Sequence, residues 1–409
     1  MSLPDDLSDP ARALDGIRAA AGRIAAGARR TPIVPSHTVS AGSGAEVHLK
    51  LENLQRTGSF KLRGALNKVA QLSRAELDRG LVAASAGNHA QGVALAAQLF
   101  GAKATIVMPR ATPLVKIQRT EAYGAEVVLC GASWDESQAR ALELARERGL
   151  TPVHPFDDPA VILGQGTVAL EILEEVEGLD AIVVPIGGGG LASGVALAVK
   201  ALAPAVRVIG VQAEGASAMA SSLRAGAPVV VERPDTIADG IRVGSVGEIT
   251  FEIVRRFVDE CVTVTDAEIV DAALQTIEKS RVVAEPAGVA AIAALLAVKL
   301  HGAERVCAIV SGGNVDPNLL ARMIESGLAA AGRYHLVRLR LRDAPGELAR
   351  ALQIVGETGC NVLEVVHYRA GWKIPIGVVD VEILFETRRA GQGRELEASL
   401  RERAFEVRA

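Results

Sequence analysis

Aromatic residues, cysteines and net charge are all scarce in this chain of 409 residues. Phe, Trp and Tyr make up only 3% of it, so single-stranded nucleic acid would find no stacking platform. The formal net charge of −4 gives no basic footprint for nucleic acid of any kind. The 49% of hydrophobic residues must therefore build cores from Ala, Val, Leu and Ile, which favours parallel sheets covered by helices.

The cysteines are dispersed, without a Cys-x-x-Cys pair or a nearby histidine partner. We therefore predict isolated buried thiols in a reducing compartment, rather than disulfides or a metal site. The acidic N-terminus has no apolar signal core, and the longest apolar run, Pro286 to Val298, is too short to span a bilayer. Together these absences predict a cytoplasmic protein with no membrane, nucleic-acid or metal partner. The cysteines are Cys130, Cys261, Cys307 and Cys360.

From Leu81 to about Ser311, short β-branched runs alternate with Ala-rich helical stretches. Such repeats are typical of α/β domains with parallel sheets. The strands are too many for one sheet of ordinary size, so we expect two lobes with a cofactor in the cleft between them. The predicted strands are Leu81–Ala84, Ala104–Met108, Glu126–Cys130, Ala181–Pro185, Val206–Gln212 and Arg305–Ser311. The predicted helices include Ala90–Leu99, Glu136–Arg148, Thr167–Glu177 and Leu191–Ala201.

The pattern changes after Gly332, where hydrophobic residues begin to alternate with arginines as in a half-buried strand. A helix is predicted to begin at Asp343-Ala344-Pro345-Gly346, with Asp343 or Ala344 as its cap. The later elements complete a βαββαβ order, and they are Asn361–Arg369, Val378–Glu386, Gly393–Arg403 and Phe405–Val407. We predict a larger domain over 1–332, with a smaller lobe at about 51–155, and a small domain over 333–409.

Lys61 lies in the stretch Thr57-Gly58-Ser59-Phe60-Lys61, ahead of several glycine-rich turns. A lysine amine can form a Schiff base with an aldehyde cofactor. Most lysines are solvated surface charges, and the nearby Arg63 would also fit a plain basic face. The interpretation of Lys61 therefore depends on the turns that follow it.

Two of these turns connect a predicted strand to a helix. The turn Ser85–Gly92 would offer free N–H groups at a helix start to a carboxylate, although Ser85 or Asn88 also fits an ordinary helix cap. In Ser311-Gly312-Gly313-Asn314, the first hydroxyl could meet a heteroaromatic nitrogen or simply close a tight turn.

Four consecutive glycines, Gly187 to Gly190, form the third turn. Ordering them is costly, and the cost makes sense where backbone wraps a phosphate; a flexible turn is the plain alternative. A rival interpretation is a dinucleotide fingerprint, because Gly187-x-Gly189-x-x-Ala192 precedes Glu214, placed as a ribose-binding acid. A nicotinamide-dependent oxidoreductase would leave Lys61 and the Ser85 turn unexplained.

With these segments together, the chain resembles the fold-type II pyridoxal-phosphate enzymes, and among them the threonine dehydratase (threonine ammonia-lyase) branch. The resemblance implies a two-lobed α/β catalytic domain like that of the tryptophan synthase β subunit. The C-terminal segment is similar to an ACT domain, a small module that binds amino acids. The matching motifs are Thr57–Ala65, Ser85–Gly92, Gly164–Thr167, Gly187–Leu191, Asp239–Ile241, Glu285–Gly288 and Ser311–Asn314.

The resemblance also implies a role for each matching residue. Lys61 would hold the cofactor covalently and later move the Cα proton, and Asn88 would donate to the phenolic oxygen of the ring. Ser311 would bond to the pyridine nitrogen, and a neutral hydroxyl there favours elimination over transamination. The phosphate would lie against Gly187, Gly188, Gly189, Gly190 and Leu191, the ring would be bordered by Phe60, Gly240 and Glu285, and the substrate carboxylate would lie against Ser85, Ala86, Gly87, Asn88 and His89.

The implied activity is loss of water from threonine or serine, which gives 2-oxobutanoate or pyruvate and ammonia. A homo-oligomer, dimeric or tetrameric, is expected. An amino acid bound near Asp343–Glu347 and Asn361 would regulate it, unless the C-terminal domain serves only for dimerisation.

Several alternatives stay open. Serine racemases look similar, but they carry a second serine where this chain has Ala86, so racemisation is disfavoured. They also hold a metal after the position of Glu214, where this chain has Ala218 and Ala220. A hydroxyaspartate dehydratase and a catalytically silent amino-acid sensor are the remaining alternatives.

Overall fold

The computed structural model describes residues 3–369, 374–389 and 391–408. The chain divides into two compact units, residues 1–316 and 317–409. The boundary predicted near 332 follows the first helix of the second unit, and the domain limits stay a prediction. Each unit is described by itself below.

Two sheets form the first unit. Its strands are β1 (Ile33–Pro35), β2 (Glu46–Leu51), β3 (Leu81–Ala84), β4 (Ala104–Met108), β5 (Glu126–Leu129), β6 (Thr151–Pro152), β7 (Ala181–Pro185), β8 (Arg207–Ala213), β9 (Glu260–Val264) and β10 (Arg305–Val310). The larger sheet has the order β1-β2-β10-β7-β8-β9 and is parallel except for the β1–β2 pair. The smaller sheet, β5-β4-β3-β6, is parallel throughout. The predicted α/β fold with parallel sheets is confirmed.

Helices follow most of these strands. They are α1 (Pro10–Ile24), α2 (His37–Ser43), α3 (Lys61–Val69), α4 (Arg74–Arg79), α5 (Asn88–Leu99), α6 (Leu114–Glu121), α7 (Trp134–Arg148), α8 (Pro159–Glu175), α9 (Gly190–Leu202), α10 (Ala218–Ala225), α11 (Glu248–Phe257), α12 (Asp266–Gln275) and α13 (Pro286–Leu296). Proline opens α1, α8 and α13, where its fixed φ suits the first helical position and its missing N–H costs nothing. The sequence patterns did not reveal α1, β1 or β2.

The core of the first unit is aliphatic, as the composition predicts. Every residue of β3, β4 and β7 is buried, as expected for strands covered on both faces. The long apolar run coincides with α13, and among the described residues no helix is long and apolar enough to cross a membrane. Cys307 is buried, Cys130 and Cys261 are half-buried, and all three are free thiols.

The second unit begins with helix α14 (Pro317–Ala330) and continues as a βαββαβ fold. Its remaining elements are β11 (Tyr334–Arg342), α15 (Glu347–Glu357), β12 (Asn361–Tyr368), β13 (Val378–Glu386), α16 (Gln392–Glu402) and β14 (Glu406–Arg408). The strands pair antiparallel in the order β12-β13-β11-β14. Alternate residues of β13 face a core that includes Leu339, Ile354 and Leu396. The predicted small α+β domain is therefore present.

The predicted start of helix α15 was wrong. Neither Asp343 nor Ala344 caps it, because the helix begins at Glu347. Gly346 precedes it with φ 90°, a left-handed conformation that glycine adopts without strain and that interrupts the helical path from Pro345.

Candidate active site

The chemistry-bearing turns lie at the carboxyl ends of parallel strands, where α/β sheets bind their ligands. Ser85 follows β3, Gly187 lies just beyond β7, and Ser311 follows β10 directly. Small residues let the turns approach closely. A Cβ built on Gly312 would lie 2.2 Å from Glu285 Oε1 and 3.2 Å from Asn88 Nδ2, so no larger residue fits between these groups.

Gly240 connects this cluster to the four-glycine turn. A Cβ on Gly240 would lie 3.5 Å from Glu285 Oε1 and 3.9 Å from Asn88 Nδ2, and one on Gly187 would lie 3.5 Å from Gly240 O. On the other side, Ser59 pairs with Gly312 in an isolated antiparallel bridge. The structure therefore gathers the predicted turns around one place.

Lys61 is the first residue of α3 and is half-buried. Its Nζ donates to the carbonyl oxygen of Pro155 at 2.8 Å and lies 5.2 Å from the centre of the Phe60 ring. Burial lowers the pKa of the amine to about 8, against the opposing attraction of the Glu285 carboxylate. A substantial fraction of this amine is therefore neutral, and hence nucleophilic and basic, near physiological pH.

Glu285 is only 4% exposed, and it accepts a hydrogen bond from Asn88 Nδ2 at 2.6 Å. Burial, and then the repulsion of Asp239, raise the pKa of its carboxyl to about 7. Asp239 itself forms an ion pair with Lys116 at 2.6 Å. The site therefore contains a carboxyl whose charge changes near neutral pH.

The four-glycine turn is supported by the side chains of Phe156, Asp157 and Thr250. Gly189 has φ 98° and precedes α9, and a Cβ on Gly188 would come within 2.4 Å of the Phe156 ring. Thr250 Oγ1 donates to Gly188 O at 2.7 Å, and the Asp157 carboxylate accepts from Thr250 N at 3.0 Å. This support, which no sequence motif indicated, fixes a turn that ends at a helix N-terminus.

The Ser85 turn closes on itself, because Gly87 N donates to Ser85 Oγ at 3.2 Å. The side chain of Ala86 carries no proton donor. His89 is 3% exposed, and its Nε2 lies 2.9 Å from Val153 O, so this nitrogen carries the proton. Burial lowers the pKa of His89 to about 3, which keeps the ring neutral. The ring thus faces the interior of the fold, and the N-terminus of α5 offers backbone N–H groups instead.

Arg63 does not belong to a basic surface, contrary to the plain interpretation of the sequence. It is 1% exposed, and its guanidinium donates to Glu52 at 2.7 Å and to Glu171 at 2.6 Å. Lys50 Nζ joins the same Glu171, and Thr31 Oγ1 donates to Glu52. This buried charge cluster (Thr31, Lys50, Glu52, Arg63 and Glu171) anchors α3 behind Lys61.

The donor set fits pyridoxal phosphate. Lys61 supplies an amine for the aldehyde, and the turn from Gly187 to Gly190 leaves no side chain in the way of a phosphate. Within the part of the chain that the structure describes, the fully buried Ser59 hydroxyl has no hydrogen-bond partner, and the Ser311 hydroxyl has only a long contact of 3.4 Å with Ala287 O. Buried hydroxyls that lack good partners are expected where a polar ligand binds.

Among the described residues, no group of three or more His, Cys, Asp or Glu side chains could hold a metal ion. Glu214 follows β8 and is exposed.

Comparisons with known proteins agree with this chemistry. The sequence profile described as pyridoxal-phosphate dependent enzyme matches residues 24–312. The L-threonine ammonia-lyase of Thermotoga maritima is 48% identical over 379 residues, which cover 93% of this chain and 94% of that protein.

Solved structures show the same fold. The processed form of threonine deaminase isoform 2 from Solanum lycopersicum is 41% identical with a TM-score of 0.75, over 79% of this chain and 89% of that one. Maize serine racemase is 39% identical with a TM-score of 0.73, over 78% and 98%. The predicted pyridoxal-phosphate cofactor is confirmed for the family, which decides against the nicotinamide-dependent alternative. This chain therefore belongs to the pyridoxal-phosphate dependent enzymes.

Proposed function

We propose that this chain is a threonine ammonia-lyase, which removes water from threonine, and also from serine, and releases ammonia with 2-oxobutanoate or pyruvate. The observation that carries the proposal is the 48% identity with the L-threonine ammonia-lyase of Thermotoga maritima along 93% of this chain. The half-buried Lys61, with its lowered pKa, supplies the chemical group that the reaction needs.

The residue roles belong to the same proposal. When bound, pyridoxal phosphate withdraws electrons from the Cα–H bond of the attached amino acid and so makes its proton removable. Lys61 would hold the aldehyde carbon in the resting enzyme and, once displaced by the substrate amine, take the Cα proton on Nζ. Asn88 would donate to the ring's phenolic oxygen, and Ser311 would face its nitrogen. Phe60, Gly240 and Glu285 would border the ring.

Phosphate and substrate would be held mainly by backbone. The N–H groups of the turn from Gly187 to Leu191 would bind the phosphate, because that turn opens helix α9. The turn from Ser85 to His89 would bind the substrate carboxylate at the start of α5. Since the ring of His89 faces the interior, its backbone N–H would be the contributing group.

Serine racemisation is the second candidate, favoured by the similarity to maize serine racemase. A racemase needs a proton donor on the face of Cα opposite Lys61. Ala86 supplies none, because its methyl group cannot transfer a proton. We therefore expect elimination to exceed racemisation by a large factor.

A substrate panel tests the proposal. Purified holoenzyme is given L-threonine, L-serine, D-serine and 3-hydroxyaspartate, and keto acid, ammonia and the enantiomers of serine are measured. Threonine is expected to give 2-oxobutanoate and ammonia in equal amounts, with little D-serine from L-serine. Binding of these amino acids without turnover would instead support the sensor, and fast formation of D-serine the racemase.

We also propose that the second unit is an ACT-like regulatory domain that binds an amino acid. A pocket of about 330 Å³ lies beside the segment Asp343–Glu347. Arginines there suit the carboxylate of an amino acid, glutamates suit its ammonium group, and apolar side chains suit an aliphatic side chain. The lining residues are Arg340, Leu341, Arg342, Glu347, Arg350, Val378, Arg403, Ala404, Phe405 and Glu406.

Arg350 is the lining residue whose replacement best tests the role of this pocket. It contacts Glu347 at 3.1 Å and lies 5.4 Å from the Phe405 ring centre. If regulation depends on the pocket, Arg350→Ala should weaken the response of 2-oxobutanoate formation to isoleucine, valine or serine, while Arg394→Ala, in an exposed part of α16, should not. An unchanged response in both variants would favour a module that serves only for dimerisation. The homo-oligomer and the cytoplasmic location stay predictions.

A further inference from the structure

Asn314 joins three segments of the candidate site. Its Nδ2 donates to the carbonyl oxygen of Thr57 and to Asn88 Oδ1, each at 2.7 Å. Its backbone N–H favours the charged form of the Glu285 carboxyl and so opposes the rise in the pKa of that group. One residue thus links the approach to Lys61 with the Ser85 turn, beside the buried carboxyl.

These contacts determine which end of each side-chain amide is the NH₂ group, first for Asn314 and then for Asn88. The carbonyl of Thr57 can only accept, so the end of the Asn314 amide that faces it must be the NH₂ group. That same NH₂ group faces Asn88, so the facing atom of Asn88 must be its oxygen. The NH₂ group of Asn88 is then directed to Glu285 at 2.6 Å, and one further hydrogen on Nδ2 is available to a ligand.

Close packing removes the freedom to choose another arrangement. Gly58 has φ 73°, and a Cβ there would lie 2.7 Å from Asn314 Oδ1. A Cβ on Gly312 would press on both Glu285 and Asn88. The two glycines therefore leave room for the chain of amides and for little else.

We propose that Asn314 is a positioning residue: through its bond to Asn88 Oδ1 it orients the Asn88 amide so that an N–H points to the phenolic oxygen of the cofactor. The inference rests on the proposed cofactor site and assigns a role to the last residue of the Ser311–Asn314 motif. A hydroxyl or carboxylate oxygen at position 314 could not supply both donors.

The test uses apo-protein reloaded with pyridoxal phosphate at fixed pH. Asn314→Ala and the isosteric Asn314→Asp should both weaken cofactor binding roughly tenfold, the effect of one lost hydrogen bond to a charged group. They should also move the absorbance maximum of bound cofactor in the direction seen with Asn88→Ala. The double variant Asn88→Ala/Asn314→Ala should bind the cofactor no more weakly than Asn88→Ala alone, because Asn314 acts through Asn88.

Asn53→Ala is the matched control. Asn53 lies beside Gly313 and donates one hydrogen bond to Val283 O at 3.0 Å, without a bond to Asn88. It should lower the melting temperature without moving the spectrum. If both Asn314 variants keep the wild-type spectrum and affinity, or if the double variant is additive, the inference is overturned. A wild-type protein that takes up no pyridoxal phosphate would overturn the proposed function as well.

Discussion

Two cations, one half-buried and one fully buried, lie two residues apart in α3, in opposite surroundings. Lys61 donates a hydrogen bond to a backbone carbonyl. Burial lowers the pKa of its amine to about 8, because the attraction of the Glu285 carboxylate is weaker than the cost of desolvation. Arg63 is bonded to two carboxylates, Glu52 and Glu171, whose charges hold its pKa above the ordinary value in spite of burial. One helix thus presents a reactive amine at its first residue and a permanent charge two residues further on.

The difference separates chemistry from stability. A buried cation without a bonded carboxylate is destabilised in its charged form, and that is what makes it a base. A buried cation with bonded carboxylates contributes by holding elements together, and its loss leaves those carboxylates uncompensated. The buried charge cluster ties β2, α3 and α8, so the backbone that carries Lys61 is fixed by groups that take no part in the reaction.

Replacing Lys61 should have the largest effect on activity. Lys61→Ala is expected to lower keto-acid formation at least about 10³-fold, because nucleophile and base are lost together. The melting temperature of the apo-protein should hold or rise, since a partly desolvated charge is removed. Mass spectrometry of the borohydride-reduced holoenzyme should place the cofactor adduct on Lys61. An adduct on another residue would refute the assignment, and Lys103→Ala, at an exposed lysine, is the control.

Replacing Arg63 should have the largest effect on stability. Arg63→Met is expected to cost about 3–5 kcal/mol, because Glu52 and Glu171 would stay buried without their partner. Arg63→Lys should recover only part of this, since an ammonium cannot reproduce the forked contacts. The measurement is the free energy of unfolding of the first unit, taken from its transition in a calorimetric scan. Arg255→Ala, which breaks an exposed pair with Glu252, should cost under about 1 kcal/mol; equal losses at both sites would contradict the contrast.

Gly188 tests the support behind the phosphate turn. In Gly188→Ala the new methyl would press on the Phe156 ring, which must move together with the neighbouring Pro155 carbonyl that holds Lys61. Overpacking of this kind costs about 1–3 kcal/mol, and we expect a 10- to 10²-fold loss of cofactor affinity in a fluorescence titration.

The control is a glycine with free space around it. Gly22 lies inside α1, and a Cβ there would meet nothing within 4 Å. Gly22→Ala should leave cofactor affinity unchanged and raise stability by roughly 0.5–1 kcal/mol, because alanine is the better helix former. Loss of affinity in this variant would mean that the Gly188 result reports general destabilisation.

Sequence patterns predicted the central strands and helices well, because buried aliphatic runs and alanine-rich stretches are local features. They gave β3, β4, β7 and β13 with the bounds that the structure has. They did not give β1 and β2, since a short edge pair is defined by partners far along the chain. The start of α15 was misplaced because the left-handed conformation of Gly346 depends on the folded structure around it, which a local sequence pattern does not show.

The candidate site shows the same division. Motifs identified Lys61 and the three turns, and the structure brings these together. The supporting contacts of Pro155 and Asp157 were missed, because a backbone carbonyl has no sequence pattern and an aspartate before a helix looks like an ordinary cap. Arg63 was ambiguous, since only burial distinguishes a structural ion pair from a solvated charge. A single sequence does not show which residues act through partners that lie far along the chain.

The smallest expected effect is a change in how stability depends on pH. Glu285 has its pKa raised from 4.5 to about 7, so between these values the folded protein binds more protons than the unfolded chain. Unfolding free energy therefore falls as pH rises through this window, and the contribution of a protonated Glu285 is lost above about pH 7. Glu285→Gln should remove roughly 1–2 kcal/mol of that fall, as measured by urea unfolding of apo-protein at pH 5 and pH 8.

Glu285→Gln also sharpens the contrast within α3. The variant removes the carboxylate whose charge raises the pKa of Lys61, so the Lys61 amine should titrate below the wild-type value. Gln98→Asn, at an exposed position of α5, is the control and should leave the pH dependence unchanged, because it removes no titratable group. If Glu285→Gln keeps the full decline between pH 5 and pH 8, the carboxyl is ionised throughout. Lys61 would then have an ionised carboxylate nearby, as Arg63 has. The two cations would differ only in the distance to their carboxylates.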